Sequence, residues 1–445
     1  MTTLSLAAHP ASATDLRKAV IGAIVGTAIE WYDYYLFATA AATILNKLFF
    51  PQYDPLVGTL LSYATFAIGF LVRPLGSVLF GRLGDRIGRK NTLLITLVLM
   101  GGATTLMGLL PTYAQVGLWA PVLLILLRAV QGLGSGAEYA GAVLMVIENA
   151  PRDRRGLYGS MPYIGVALGL LLSLGTFTLS STLVTGAAFD VWGWRIPFLL
   201  SLIAVAVGLV LRSTLHETPV FEQLAARRKA HAPVSEVFRD YRRPLFCAWG
   251  ARLGDGSLAY FYESFVIVYA TRHLGLDKNQ ILPALMVCTC AQFATVPFFG
   301  WVSDKVGRRP VYLLGGLLSG ALVYPFFLLM ATKSLPLIYL GLLVVSAGAK
   351  TMMTAAQGPW LTEMFPAQIR YTGFALAREV TSPIAGGLAP IIATALLAYD
   401  PSATLVGLYV AALGLITAVA VWLGPETRGR DLAAAAYPDP APNLS

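Results

Sequence analysis

The chain has 445 residues, of which 56% are hydrophobic and only 12% charged. Soluble proteins carry roughly 25% charged residues, so this chain lacks the polar surface to stay dispersed in water, and lipid must be the solvent for most of it. The net charge of +9 would suit a nucleic-acid binder. The basic residues, however, sit in short clusters between apolar runs and form no stripe interleaved with aromatics, which excludes that class.

In chain order, residues 1–18 are polar, with Arg17 and Lys18 just ahead of the first apolar run, and read as a retained segment with no cleaved signal. Crossing the hydrocarbon core takes about 20 apolar residues, and backbone groups in lipid must be satisfied internally, which demands helices. Spans are expected at 19–46, 57–81, 91–111, 120–148, 157–183 and 196–213, then 244–271, 280–302, 311–331, 335–358, 371–398 and 403–424. The polar stretch 214–243, with His216, Glu217, Pro219, the trio Arg227, Arg228, Lys229 and Pro233, divides them six and six. The expected organisation is a segment 1–18, a six-helix bundle 19–213, a linker 214–243, a second bundle 244–424 and a short tail 425–445.

Of the 32 Lys and Arg, 22, with Arg212 counted among the central-loop cations, fall on one side of this topology, against Lys47, Arg195, Arg272, Lys278 and Lys333 on the other. The positive-inside rule then puts both termini in the cytoplasm. Cys247, Cys288 and Cys290 lie in apolar stretches and read as small buried hydrophobes with no disulfide framework.

Two motifs recur. Gly81-Arg-Leu-Gly-Asp85-Arg-Ile-Gly88-Arg89-Lys90 and Gly300-Trp-Val-Ser-Asp304-Lys-Val-Gly307-Arg308-Arg309 both follow the second span of their half. Glu148-x-x-Pro151-x-x-x-Arg155 and Glu363-x-x-Pro366-x-x-x-Arg370 both follow the fourth. Two motifs repeating in the same order mark the halves as structural copies.

The first motif resembles the hallmark loop of the major facilitator superfamily. Further residues narrow the resemblance: Glu30-Trp31-Tyr32-Asp33, Gly69-Phe70-Leu71-x-Arg73-Pro74-Leu75-Gly76, Arg128-x-x-Gln131-Gly132 with Glu138-Tyr139, and Trp192-Gly-Trp194-Arg195-Ile-Pro197-Phe198. Glu217-Thr-Pro-x-Phe221 and Thr362-Glu363-Met364-Phe365-Pro366 complete it. Together these look like the metabolite:proton symporter family, whose members carry shikimate, 2-oxoglutarate, citrate or proline/betaine. The shikimate-carrier branch is most similar, through Arg252-x-x-Asp255. The resemblance implies an all-α membrane protein of 12 transmembrane helices, in two bundles related by pseudo-symmetry. It further implies that Asp85, Arg89, Glu148 and Arg155, with Asp304, Arg308, Glu363 and Arg370, form a cytoplasmic gate. A carboxylate at a helix end facing basic groups suits such a latch, whereas Arg82 and Arg86 read as topology signals.

Ionisable residues inside spans are costly and mark candidate sites. The deep ones are Glu30, Asp33, Arg73, Arg128, Glu138, Arg252, Asp255, Glu263, Lys350, Arg378 and Glu379. Glu30, Glu138 and Lys350 are expected near the bilayer centre, where a two-half carrier binds its cargo. Asp33 follows Glu30 by one turn, and two carboxylates that close cannot cheaply both be charged, so one is expected to hold a proton. No histidine lies in a span: His9, His216, His231 and His273 are all outside. Proton coupling is therefore assigned to Glu30, Asp33, Glu138 and Asp255.

A carboxylate cargo needs a desolvated cation. Arg73, Arg128, Arg252, Lys350 and Arg378 are candidates, with Tyr34 and with Gln131 and Gln357, at broadly comparable places in spans four and ten, as polar contacts. Arg252 beside Asp255, and Arg378 beside Glu379, fit plain neutralisation equally well. Trp31, Tyr32, Tyr35, Tyr139, Tyr163, Tyr260 and Tyr262 crowd the same region, mostly as packing. Gly132-x-Gly134-x-Gly136 lies mid-helix and reads as a packing stripe through residues 132, 136 and 140 rather than a nucleotide loop. Pro383, Gly386, Gly387 and Pro390 mark a bending helix.

The expected function is proton symport of a small carboxylate-bearing metabolite by a monomeric inner-membrane carrier. Its partners are then the cargo, protons and the lipid bilayer, with no cofactor, metal or nucleic acid. The alternative is a carrier of a zwitterion such as betaine or proline. The short Ala/Pro-rich stretch after Arg430 lacks the coiled coil of osmosensing members, and no enzyme motif or signalling domain is recognisable.

Overall fold

The computed structural model describes residues 13–226 and 234–432, which are helical almost throughout, with no strand among them. His9, the Arg227–Lys229 trio, His231, Pro233 and the tail beyond Leu432 lie outside the described residues.

Twelve long helical rods follow one another, as the spacing of apolar runs predicts. The first half comprises α1 (Ala13–Thr43), α2 (Pro55–Ile87), α3 (Arg89–Leu109), α4 (Trp119–Asn149), α5 (Arg152–Leu183) and α6 (Phe189–Ser213). The second comprises α7 (Arg242–Tyr260, continued by turns to His273), α8 (Lys278–Val306) and α9 (Arg308–Ala321 with Val323–Ala331). It ends with α10 (Leu335–Met364), α11 (Arg370–Tyr399) and α12 (Thr404–Leu423). Nine rods are long and apolar enough to cross a membrane, and α9, bent by 44°, makes a tenth. The other two, α1 and α7, carry Glu30 and Asp33, and Arg252, Asp255 and Glu263, which break their apolar runs. Leu71, Leu75 and Leu79, four residues apart on α2, are each more than half exposed and form a lipid-facing stripe.

Helices α2 and α4 touch backbone to backbone. A Cβ on Gly132 would lie 2.3 Å from the Gly69 carbonyl, and one on Gly136 would lie 2.4 Å from that of Arg73. The glycine run in α4 is thus a groove for α2, as small residues in membrane helices allow. Pro383 and its glycines form a π-helical stretch in α11, Pro383–Leu388.

Three expectations need correction. The repeated Gly-x-x-x-Asp stretch is not a loop: α2 runs on to Ile87 and α8 to Val306, leaving single residues as turns. Those residues are Gly88 and Gly307, with φ of 101° and 111°, a region only glycine enters freely. Cys247 and Cys288 are buried, but Cys290 is exposed on the outside of α8. Finally, Gln131 and Gln357 are not at comparable depths. They stand 18 and 7 residues from the ends of α4 and α10, a difference of about 16 Å at 1.5 Å per residue.

Candidate functional site: a charged seam between the halves

Where α1 and α2 face α11, four charges form one chain. Arg73 donates to Glu30 at 3.1 Å, to Glu379 at 3.3 Å and to the Tyr34 hydroxyl at 3.0 Å. Glu379 also accepts from Arg378 at 2.5 Å and from Ser382 at 2.7 Å. Arg378 lies over the Tyr139 ring at 3.9 Å. Every member is at most 3% exposed. The sequence neighbourhood of Arg73 holds no carboxylate; its partners come from two other helices, one in each half. Arg378 does pair with the adjacent Glu379, as neutralisation predicted.

A second bridge joins the halves through α1, α7, α10 and α5. Lys350 donates to Glu263 at 2.9 Å, and the other Glu263 oxygen accepts from the Tyr35 hydroxyl at 3.1 Å. The Lys350 ammonium stands over the Tyr163 ring at 5.3 Å. Lys350 is fully covered, whereas Glu263 is 25% exposed.

Two pairs stay within single halves. Asp255 accepts from Arg252 at 2.9 Å, closely from Gln357, and from Thr354 at 3.4 Å. Gln357 also donates to Tyr312 at 3.2 Å, so Gln357 serves Asp255. Glu138 is gripped by both terminal nitrogens of Arg212 and by Thr96 at 2.7 Å. Arg212, counted above among the loop residues, is buried inside the first bundle.

Asp33 and Arg128 differ from all of these. Asp33 is fully buried, accepts from Ser201 at 2.9 Å, and has one oxygen without any partner. It does not share its proton site with Glu30: Glu30 turns to Arg73 on α2, Asp33 to Ser201 on α6. Arg128 meets no carboxylate among the described residues. It donates closely to Gln131 and to the Phe66 carbonyl at 3.3 Å, and its guanidinium sits over Tyr34, Phe37 and Phe66 at 4.3, 4.5 and 4.8 Å. Tyr34 is thus held between two guanidiniums, that of Arg73 also lying 4.3 Å from its ring. Gln131 donates to Thr104 at 2.7 Å.

At the face carrying the repeated motifs, the halves are joined by carboxylates on helix starts. Asp85 accepts from the backbone of Tyr371 and Thr372 at 3.1 and 2.9 Å and from the Thr372 hydroxyl at 2.8 Å. Asp304 accepts from Gly156 and Leu157 N–H at 2.7 and 2.8 Å. Each places an anion at the positive end of a helix in the opposite half. Arg89 and Arg370, one from each half, meet on Glu148 at 3.3 and 3.1 Å. Arg308 grips Glu363 and Asp304 at 3.1 and 2.7 Å, and Arg155 donates to the Arg430 carbonyl at 2.7 Å.

A third repeat escaped the sequence reading. Glu217 accepts from the N–H groups of Arg89 and Lys90, and Glu426 from those of Arg308 and Arg309. The next residues, Thr218 and Thr427, donate to Glu148 and Glu363 at 2.5 and 2.8 Å. The Glu-Thr dipeptide recurring after the last span of each half was the available signal. Burial pushes the Glu217 carboxyl above the usual carboxylate range, against the pull of neighbouring N–H groups and Arg89.

The lock depends on close approach. A Cβ on Gly84 would lie 1.7 Å from the Tyr371 ring, so Gly84→Ala is expected to part α2 from α11. Alkylation of Ala375→Cys, in a background lacking Cys247, Cys288 and Cys290, should rise about tenfold, equivalent to about 1.4 kcal/mol. Unchanged alkylation would show that the two helices part without consequence.

Comparison with known proteins agrees with this architecture. Residues 18–232 match the family model "Sugar (and other) transporter", and residues 256–442 match "Major Facilitator Superfamily". The shikimate transporter of Escherichia coli is 39% identical over 86% of this chain and 88% of its own length. The chain belongs to the major facilitator superfamily. An inner membrane metabolite transport protein of E. coli is 38% identical, covering 94% of this chain and 96% of that protein. The E. coli proline/betaine transporter is 35% identical, covering 94% and 85%. Among solved structures, the proton:xylose symporter bound to 6-bromo-6-deoxy-D-glucose superposes with a TM-score of 0.72 at 19% identity, covering 94% of this chain and 98% of that one. The protein is accordingly a multi-pass membrane transporter of this superfamily and not an enzyme.

Proposed function

We propose that the protein moves a small carboxylate-bearing metabolite across the inner membrane together with protons, by alternating access, with both termini in the cytoplasm. The single observation that carries the coupling is the state of Asp33: a fully buried carboxyl with no cation among the described residues and one unpartnered oxygen. Such a group is costly to keep charged and takes a proton readily. Every other buried carboxylate of the seam has its own Arg or Lys. Arg128, which meets no carboxylate among the described residues, is the counter-charge for Asp33 when it is ionised. Cargo sits between the halves, where aromatic rings and cations line the seam, and the motif-bearing face forms the cytoplasmic gate.

The test is uptake into proteoliposomes driven by a pH gradient, against a panel of small acids including shikimate, with betaine alongside. Wild type should accumulate an acid and lose accumulation when the gradient is collapsed. Asp33→Asn, a permanent mimic of the protonated form, should retain cargo exchange and lose gradient-driven accumulation. Accumulation that survives the collapsed gradient removes the coupling. The zwitterion reading draws on the proline/betaine relative and on the Trp31, Tyr34 and Tyr35 rings, since aromatic faces attract quaternary ammonium groups. Betaine uptake without uptake of any acid would select it.

A further inference from the structure

We propose that Glu263 stands in for the cargo: in the empty site its carboxylate neutralises Lys350, and an incoming carboxylate takes its place. This rests on the carboxylate-carrier reading above and names the cation on which the cargo lands.

An arriving carboxylate needs a cation within the spans that can change partners. Arg73 is held by two glutamates and Tyr34. Arg378 is held by Glu379 and the Tyr139 face, and Arg212 by Glu138 and the Leu93 carbonyl. Arg252 shares Asp255 with Gln357 and Thr354, a carboxylate only 2% exposed. Arg128 is enclosed by three rings with none of its surface open. Lys350 alone of these six has a partner that is substantially open, Glu263, and among the described residues that partner is otherwise tied only by one tyrosine hydroxyl.

Backbone geometry independently marks the same pair. Glu263 sits within a π-helical turn, Phe261–Phe265, and Lys350 ends another, Leu343–Lys350. Such turns widen the helix and are frequent at functional sites. Aromatic walls stand around the pair: Tyr163 under the ammonium, and Tyr35 against Trp31 at 5.4 Å. Both Tyr35 and Tyr163 belong to the first half, whereas Glu263 and Lys350 belong to the second. Replacing Glu263 on Lys350 therefore alters contacts that cross the seam, which gives cargo binding a direct hold on the movement of the halves.

The exchange makes and breaks no covalent bond: one carboxylate leaves the ammonium and another arrives. Its consequence is that the empty carrier returns with Lys350 neutralised. A buried ammonium left bare is strongly disfavoured, so a carrier without Glu263 should wait for an anion before it can cross.

The experiment measures equilibrium binding of radiolabelled shikimate and other small monocarboxylates to purified protein, with exchange and net uptake in proteoliposomes. Glu263→Gln should bind the acid about tenfold more tightly because its internal competitor is gone. It should keep acid exchange and lose net uptake. Lys350→Gln, alone or combined with Glu263→Gln, should lose at least about tenfold in acid affinity. Glu263→Gln that exchanges acid but binds it no more tightly overturns the proposal, as does Lys350→Gln with unaltered affinity. Retained exchange shows that the first variant is folded. Wild type binding none of the acids would instead overturn the carboxylate reading itself, and this inference with it.

Discussion

Arg73→Gln is expected to abolish transport while leaving the protein in the membrane. Arg73 touches Glu30, Glu379 and Tyr34 through three different nitrogens, and it is 2% exposed. Its removal strands Glu30 without a cation and leaves Glu379 with Arg378 alone. Removing one partner of a buried ion pair costs about 3–5 kcal/mol, and each 1.4 kcal/mol is worth about a factor of ten. Initial uptake at matched protein amounts should fall by about a hundredfold or more. Membrane insertion should persist, because it follows from the apolar runs and not from this one contact. Arg73→Lys should also be poor, since a point charge cannot serve three partners as a planar fork does. Adding Glu30→Gln to Arg73→Gln should raise thermal stability again without restoring transport, which separates folding from function. Uptake by Arg73→Gln above half that of wild type would show that the chain across the seam is dispensable.

Glu148→Gln carries the second large effect. Glu148 is the point where Arg89 of the first half and Arg370 of the second meet, and Thr218 donates to its other oxygen at 2.5 Å. All three charged side chains are fully covered. The variant leaves these two guanidiniums facing each other across the lock with an uncharged amide in place of the shared anion, while Arg89 keeps Asp85 at 3.8 Å. By the same magnitude, about 3 kcal/mol or more, the closed state of this face should lose its advantage by about a hundredfold. Alkylation of a cysteine at Ala375 should rise sharply, and net uptake should fall. A closed face in Glu148→Gln, by the same alkylation, would refute the assignment of Glu148 as the node of the lock.

Much of this architecture was legible in residue order. The repeated Gly-x-x-x-Asp and Glu-x-x-Pro motifs placed Asp85, Asp304, Glu148 and Glu363 at equivalent helix ends, and the structure finds all four in ion-pair or helix-start contacts at that face. The close pairs Arg252–Asp255 and Arg378–Glu379 were equally visible, because three residues or one along a helix keep side chains within reach. What escaped was longer in range. Arg212 looked like a linker cation because it ends its apolar run, yet it folds back onto Glu138. Glu263 was recognised as a deep charge, but nothing near it in sequence pointed to Lys350 or Tyr35. The π-helical turns that hold Glu263 and Lys350, unlike the one at Pro383, left no sequence signal, since one extra residue in a turn does not disturb an apolar run.

Helix number, helix order and the two-fold repeat follow from composition and spacing, because lipid forbids unpaired backbone and leaves a chain this apolar few other options. Partner choice among the buried charges does not follow from them. Arg73 joins residues 43 and 306 positions away, and only the packing of α1, α2 and α11 brings them to one point. The same packing leaves Asp33 without a cation and Glu263 half-free. A charge in a low-dielectric interior is governed by what lies within a few ångströms of it, and that is a property of the assembled bundle.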